Sequence, residues 1–172
     1  MTRRWRPLAA TAISLAGFGF AAFLTWGHYF DQAAISRTCP GGGAHSFVNC
    51  GAVTTSAESV ILGVPVALYG LVYFTLMVAL NLPAAWRSPS RLLAWSRVVL
   101  NVAGMGFVLY LVGVEFLELH FICLYCTFVH VLQFALFLVV VTGWYDTGYA
   151  GRLYDDEDDD YRASRSSKLL GA

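Results

Sequence analysis

Charge is what this sequence has least of. Only 13% of its 172 residues are Asp, Glu, Lys or Arg, about half the share usual in soluble domains. Hydrophobic residues make up 58% and the mean hydropathy is +0.60. That balance excludes an ordinary water-soluble domain and points to an all-α integral membrane protein. A bilayer-spanning helix needs about 20 apolar residues, so the chain has room for about four spans in one bundle and little else. No internal repeat of useful length is visible. No small-x-small cleavage site precedes a soluble domain, so the first apolar run is expected to be an uncleaved span despite its basic start. Cysteine is scarce as well. Cys39, Cys50, Cys123 and Cys126 all avoid the middle of apolar runs, which suggests two dithiol pairs rather than packing residues.

Residues 1–7 form a basic leader with Arg3, Arg4 and Arg6. The membrane domain is expected over residues 8–144, with spans at about 8–30, 61–82, 92–117 and 122–144. Gly17, Gly19 and Gly27 in the first span, and Gly104, Gly106 and Gly113 in the third, are small residues suited to close helix packing. A long external loop, residues 31–60, joins the first two spans. It holds Cys39, Cys50, His45 and a Pro-Gly-Gly-Gly turn at Pro40, with room for a short amphipathic piece. Pro65 is expected inside the first turn of the second helix, where its missing N–H costs nothing. Residues 145–172, with acidic residues from Asp155 to Asp160, read as a disordered, solvated cytoplasmic tail.

Arginines set the orientation. Arg3, Arg4, Arg6, Arg87, Arg91 and Arg152 fall on one side of a four-span chain, and the long loop carries only Arg37. Both termini are then cytoplasmic and both cysteine pairs face the periplasm or exterior, an oxidising compartment where disulfides persist.

Two outward pairs at different depths suggest a relay. Cys39 and Cys50 lie in a mobile polar loop that can meet a soluble protein. Cys123 and Cys126, a Cys-x-x-Cys pair at the head of a span with no formal charge over residues 127–141, lie where a lipid-soluble acceptor could reach them. Thiol–disulfide exchange would move two electrons from pair to pair and on to a quinone. Two structural disulfides, or a zinc site, are the open alternatives. Glu115 and Glu118 mark the membrane interface or, for Glu115, serve proton movement during thiol chemistry. His28 and Tyr29 read as interfacial residues.

The combination of Cys39, Cys50 with Ser56 six residues on, Gly63-x-Pro65 with Gly70, and Cys123-x-x-Cys126 opening the last helix closely resembles the vitamin K epoxide reductase family. The resemblance covers about residues 10–144. It implies a four-helix bundle around a quinone, menaquinone or ubiquinone. Cys39 would meet the partner, Cys50 would attack Cys123, and Cys126 would be the thiolate beside the ring, lowered by the helix N-terminus. Ser56 would position or activate the site; otherwise it is an ordinary helix cap. Three departures stand out. The loop between Cys39 and Cys50 is longer than in the family. Ser59 stands where the vertebrate enzyme has an asparagine, and His130 where it has a tyrosine. The last two positions would contact the quinone oxygens, which makes a bacterial quinone a better expectation than vitamin K epoxide. His130 reads equally as a neutral histidine satisfied inside the bundle.

The expectation is a bacterial inner-membrane thiol:quinone oxidoreductase that reoxidises a separate periplasmic DsbA-like thioredoxin-fold protein and supports disulfide formation. No nucleic-acid partner is expected. A DsbB-type oxidant is the nearer rival, but its Cys-x-x-Cys lies in the first external loop. A non-catalytic scaffold held by structural disulfides or a metal is the other.

Overall fold

The computed structural model describes residues 5–40, 46–88 and 90–146. Arg3 and Arg4 of the leader, His45 and the glycines of the loop turn, and the acidic tail beyond residue 146 lie outside the described residues. The chain divides into two units, Met1–Val140 and Val141–Ala172. In the second, the described part is the end of the last helix, to residue 146.

Helix α1 (Trp5–Phe30) is apolar along its length. Its hydroxyls return to its own backbone, Ser14 to the Ala10 carbonyl and Thr25 to Ala21, each at 2.7 Å. Such internal pairing is what a hydrocarbon solvent demands. Helices α4 (Val66–Asn81), α6 (Arg91–Val114) and α7 (Leu124–Asp146) complete the set of long apolar helices. Three stretches, Trp5–Phe30, Arg91–Leu119 and Leu124–Trp144, are long and apolar enough to cross a membrane, and Val66–Asn81 is a shorter apolar helix. α1 packs along α4 around Ala10, Ala21, Phe74 and Met77, with Leu136 and Val140 of α7 in the same core.

The distribution of polarity is inverted relative to a soluble domain. Ser14, Asn81, Asn101 and Gln133 are buried, while Leu8, Leu15, Leu109, Tyr110, Val131 and Phe134 are exposed. The buried polar groups pair across helices. Gln133 donates to Asn101 Oδ1 at 3.1 Å, and Asn81 donates to Ser14 Oγ at 3.2 Å. Arg97 is buried at the end of α4, where it donates to the Leu80 carbonyl at 2.8 and 3.1 Å and stacks 4.3 Å over Trp86. It satisfies a carbonyl that the helix end leaves without an intrahelical donor.

Three expected boundaries move. The second span does not begin at residue 61. Val60–Ile61 pairs antiparallel with Val64–Pro65 (β1 and β2), and Leu62 and Gly63 both take positive φ, 54° and 78°. Two left-handed residues are what a two-residue hairpin turn with the strands' own twist requires. Gly63 adopts this freely, while Leu62 does so at 93% exposure. Pro65 therefore precedes α4 as its cap residue rather than sitting in its first turn. The loop over residues 31–60 is largely built: α2 (Gln32–Thr38) is capped by Asp31, and α3 (Cys50–Thr54) by Asn49, whose side chain accepts from the Ala52 N–H at 2.9 Å. Lastly, α6 does not run as plain helix to residue 117. It passes into a π turn, Glu115–Leu119, closed by left-handed His120. The connection after α4 is a single helical turn, α5 (Pro83–Arg87), opened by proline at its first position.

The packing glycines separate into two groups. A Cβ on Gly17 would overlap the Phe74 ring, one on Gly27 would meet Ile35 at 2.6 Å, and one on Gly104 would meet Tyr73 at 2.7 Å. Gly19, Gly106 and Gly113 have open space. Gly17→Val should therefore cost about 1–3 kcal/mol by overpacking, and Gly19→Val should stay within about 0.5 kcal/mol. Thermal unfolding of the two variants in the same detergent separates them; equal midpoints would contradict the close α1–α4 approach.

Candidate functional site

Three tethers bring the loop cysteines to the Cys-x-x-Cys segment. Val48 pairs with Ile122 in a parallel bridge, the Ile122 N–H donating to the Phe47 carbonyl at 2.8 Å and the Asn49 N–H to the Ile122 carbonyl at 3.0 Å. Cys50 and Cys123 follow these two paired segments directly. The third tether is Tyr125, the residue between the two later cysteines, whose hydroxyl donates to the Thr38 carbonyl at 2.6 Å. Thr38 is the neighbour of Cys39. A disulfide joins Cys39 to Cys50 with Cα atoms 6.0 Å apart. Cys50 and Cys123 are 1% and 0% exposed and share one apolar cluster with Leu24, Ile35 and Val53; Cys39 and Cys126 pack against it half-buried. All four sulfurs thus gather at one end of the described bundle without any swing of the loop.

Cys123 and Cys126 are free thiols. Cys123 stands just ahead of α7, and its sulfur accepts the Cys126 backbone N–H at 3.3 Å, as an N-cap oxygen would. The Cys126 thiol beside it and this backbone donor hold the Cys123 thiol below its ordinary pKa, against the opposing effect of burial. The helix N-terminus thus serves Cys123 directly, one of the two cysteines that the sequence puts in its first turn.

Cys126 instead lines a cavity of about 360 Å³. Its walls come from α1, α4, α6 and α7 and from the turn after α3, and they are mostly apolar, with Leu24, Phe74, Phe107 and Val129 among them. Ser56, Ser59 and His130 also line it. Ser56 sits at the cap position of the 3₁₀ turn Ala57–Ser59 but makes no side-chain cap bond there; its hydroxyl donates to the Val53 carbonyl at 3.0 Å, and the Ser59 hydroxyl donates to the Ser56 carbonyl at 2.7 Å. Cys126, His130 and Gln133 recur at helical spacing on one face of α7, and all three reach the cavity. A volume of this size with sparse polar groups suits a flat ring compound, and the residues present fit a quinone.

Sequence reasoning missed Tyr125, the Ile122 bridge, Tyr73 and Gln133. The last had a signal, a lone amide in an uncharged apolar run, seven residues after Cys126. The first two had none, since they act through carbonyls remote in sequence. Tyr125→Phe should remove one tether worth about 1 kcal/mol and speed amide exchange across Gln32–Thr38 by about fivefold. Unchanged exchange in a hydrogen–deuterium measurement would show that the α2 end is held otherwise.

A search of curated proteins returns no match. The family model described as the vitamin K epoxide reductase family matches residues 8–141. That stretch takes in all four cysteines and the helices around the cavity, and on it the chain belongs to the vitamin K epoxide reductase family, membrane proteins with thiol–disulfide oxidoreductase activity.

Proposed function

We propose that this protein is a thiol:quinone oxidoreductase which draws electrons from a soluble thioredoxin-fold partner of the DsbA type. Enzymes of the family use quinones. The observation that carries the reading is the gathering of four cysteines in one cluster, of which Cys126 also lines the cavity.

A partner thiolate attacks Cys39, the half-buried member of the loop disulfide, and Cys50 leaves as a thiolate. Cys50 then attacks Cys123 in a closed Cys123–Cys126 bond, and Cys126 is released as a thiolate facing the cavity. The partner's second thiol frees Cys39, and Cys39 reclaims Cys50. One disulfide has formed on the partner and one has opened at Cys123–Cys126. A closed Cys39–Cys50 bond with free Cys123 and Cys126 corresponds to this point of the cycle. Cys126, His130, Ser56 and Ser59 would hold a quinone, which accepts two electrons and two protons when bound. On this reading the chain crosses a bacterial inner membrane four times, with α4 as the second span, both cysteine pairs on the external face and both termini in the cytoplasm; the arginine distribution supports that orientation. Residues 145–172 are then a cytoplasmic tail.

Cys126→Ala should abolish reduction of a ubiquinone or menaquinone analogue by a reduced partner. Cys126→Ser should accumulate a Cys50–Cys123 bond, detectable by non-reducing peptide mapping. Quinone reduction that survives Cys126→Ala would refute the mechanism, and absence of the trapped bond would refute the relay order.

A further inference from the structure

Glu115 is a carboxylate inside an apolar helix bundle, 6% exposed, on the wall of the cavity that Cys126 also lines. Burying an ionisable group at such a place is costly, and where it occurs it generally serves ion or proton movement. Its companion Glu118, three residues on, is exposed. The backbone separates the two: the π turn Glu115–Leu119 begins at Glu115, and insertions of this kind in α-helices often mark functional sites. Its side chain and that of Cys126, the neighbour of Cys123 in the pair, line the same cavity. Other titratable groups share the cavity wall, namely His28 on α1, Glu58 in the turn before β1, Tyr69 and Tyr73 on α4, and His130 on α7. Among the described residues, Glu58 and Glu115 are the carboxylates that line this cavity, and of the two Glu115 is the buried one.

The thiol pair has a proton problem. Closing Cys123–Cys126 breaks two S–H bonds in a place where Cys123 has no exposure to water. We propose that Glu115 is the proton carrier of this pair, taking up the protons its thiols release and passing them to the cavity. The inference rests on the redox cycling of Cys123–Cys126 described above. In one closing, an S–S bond forms and two electrons pass to the quinone-class acceptor. Of the two protons the sulfurs release, one passes through the Glu115 carboxylate to the cavity and the other stays on it until the pair reopens, so the carboxyl is protonated while the pair is closed and ionised while it is open. Opening of the pair by Cys50 reverses the path: the released Cys126 thiolate takes a proton back.

Redox-difference infrared spectroscopy on the purified protein, with the pair reduced by dithiothreitol and no quinone present, tests this directly. The wild-type protein should show a carboxyl band that changes on opening the pair and is lost in Glu115→Gln. Oxidation of the pair by a water-soluble short-chain quinone should slow about 100-fold at neutral pH in Glu115→Gln, with a flattened pH profile and partial recovery in Glu115→Asp. A residue that only positions the thiol pair would slow the step equally at every pH and give no carboxyl band; that result overturns the proposal. The wild-type spectrum stands even where a variant folds poorly. A silent carboxyl region in a pair that cycles with dithiothreitol refutes the carrier and leaves the thiol:quinone reading intact. Failure of quinone reduction with the carboxyl band present refutes that reading and leaves the carrier.

Discussion

Two backbone hydrogen bonds between residues 47–49 and Ile122 hold the chemistry of this chain together. They join the end of the loop to the segment before α7, and each is short enough to count as a well-formed bond. Because Cys50 opens α3 and Cys123 precedes α7, pinning the residues before them sets both sulfurs in one apolar cluster. Side-chain packing alone would leave that register loose. The bridge is only one residue long, yet it relates parts of the chain more than seventy residues apart. Exchange chemistry demands approach within bonding distance of particular sulfurs, and a backbone pairing is the cheapest way to keep them near each other over many turnovers.

The bundle below is organised by its solvent. Apolar side chains face outward and amides pair inward, so the polar interior supplies helix adhesion. The cavity opens among the same helices. On one face of α7 the order Cys126, His130, Gln133 runs from thiol to imidazole to amide, a gradient of chemistry along about two helical turns.

The broad architecture was legible because long uncharged runs admit few interpretations in a protein. The four cysteines, with Ser56 and Gly63-x-Pro65, made the family legible too. What escaped was set by backbone geometry rather than composition. Ile61 and Val64 look like helix in an apolar run, and only the paired left-handed conformations at Leu62 and Gly63 turn them into a hairpin. The loop reads as polar coil, but Asp31 and Asn49 are caps, and each was open to being read as a helix start. Gly17 and Gly19 are alike in sequence, and only the position of Phe74 tells them apart. That Cys123 falls at the cap of α7 turned on where the helix begins, and helix boundaries are the least legible feature of any sequence.

The anchoring of the loop disulfide is unequal. The Cys39 end is held by the Tyr125 hydroxyl on one carbonyl, and the Cys50 end by two main-chain bonds and the cap of α3. Once the bond between them opens, thermal motion acts first on Cys39. The device then behaves like a two-pole electrical switch with one sprung contact and one soldered contact. In the proposed relay the sprung pole is the one free to turn toward a partner, while the soldered pole keeps its place beside Cys123. Direction of current would then be built into the mounting of the contacts, before any difference in reduction potential between the two pairs is considered.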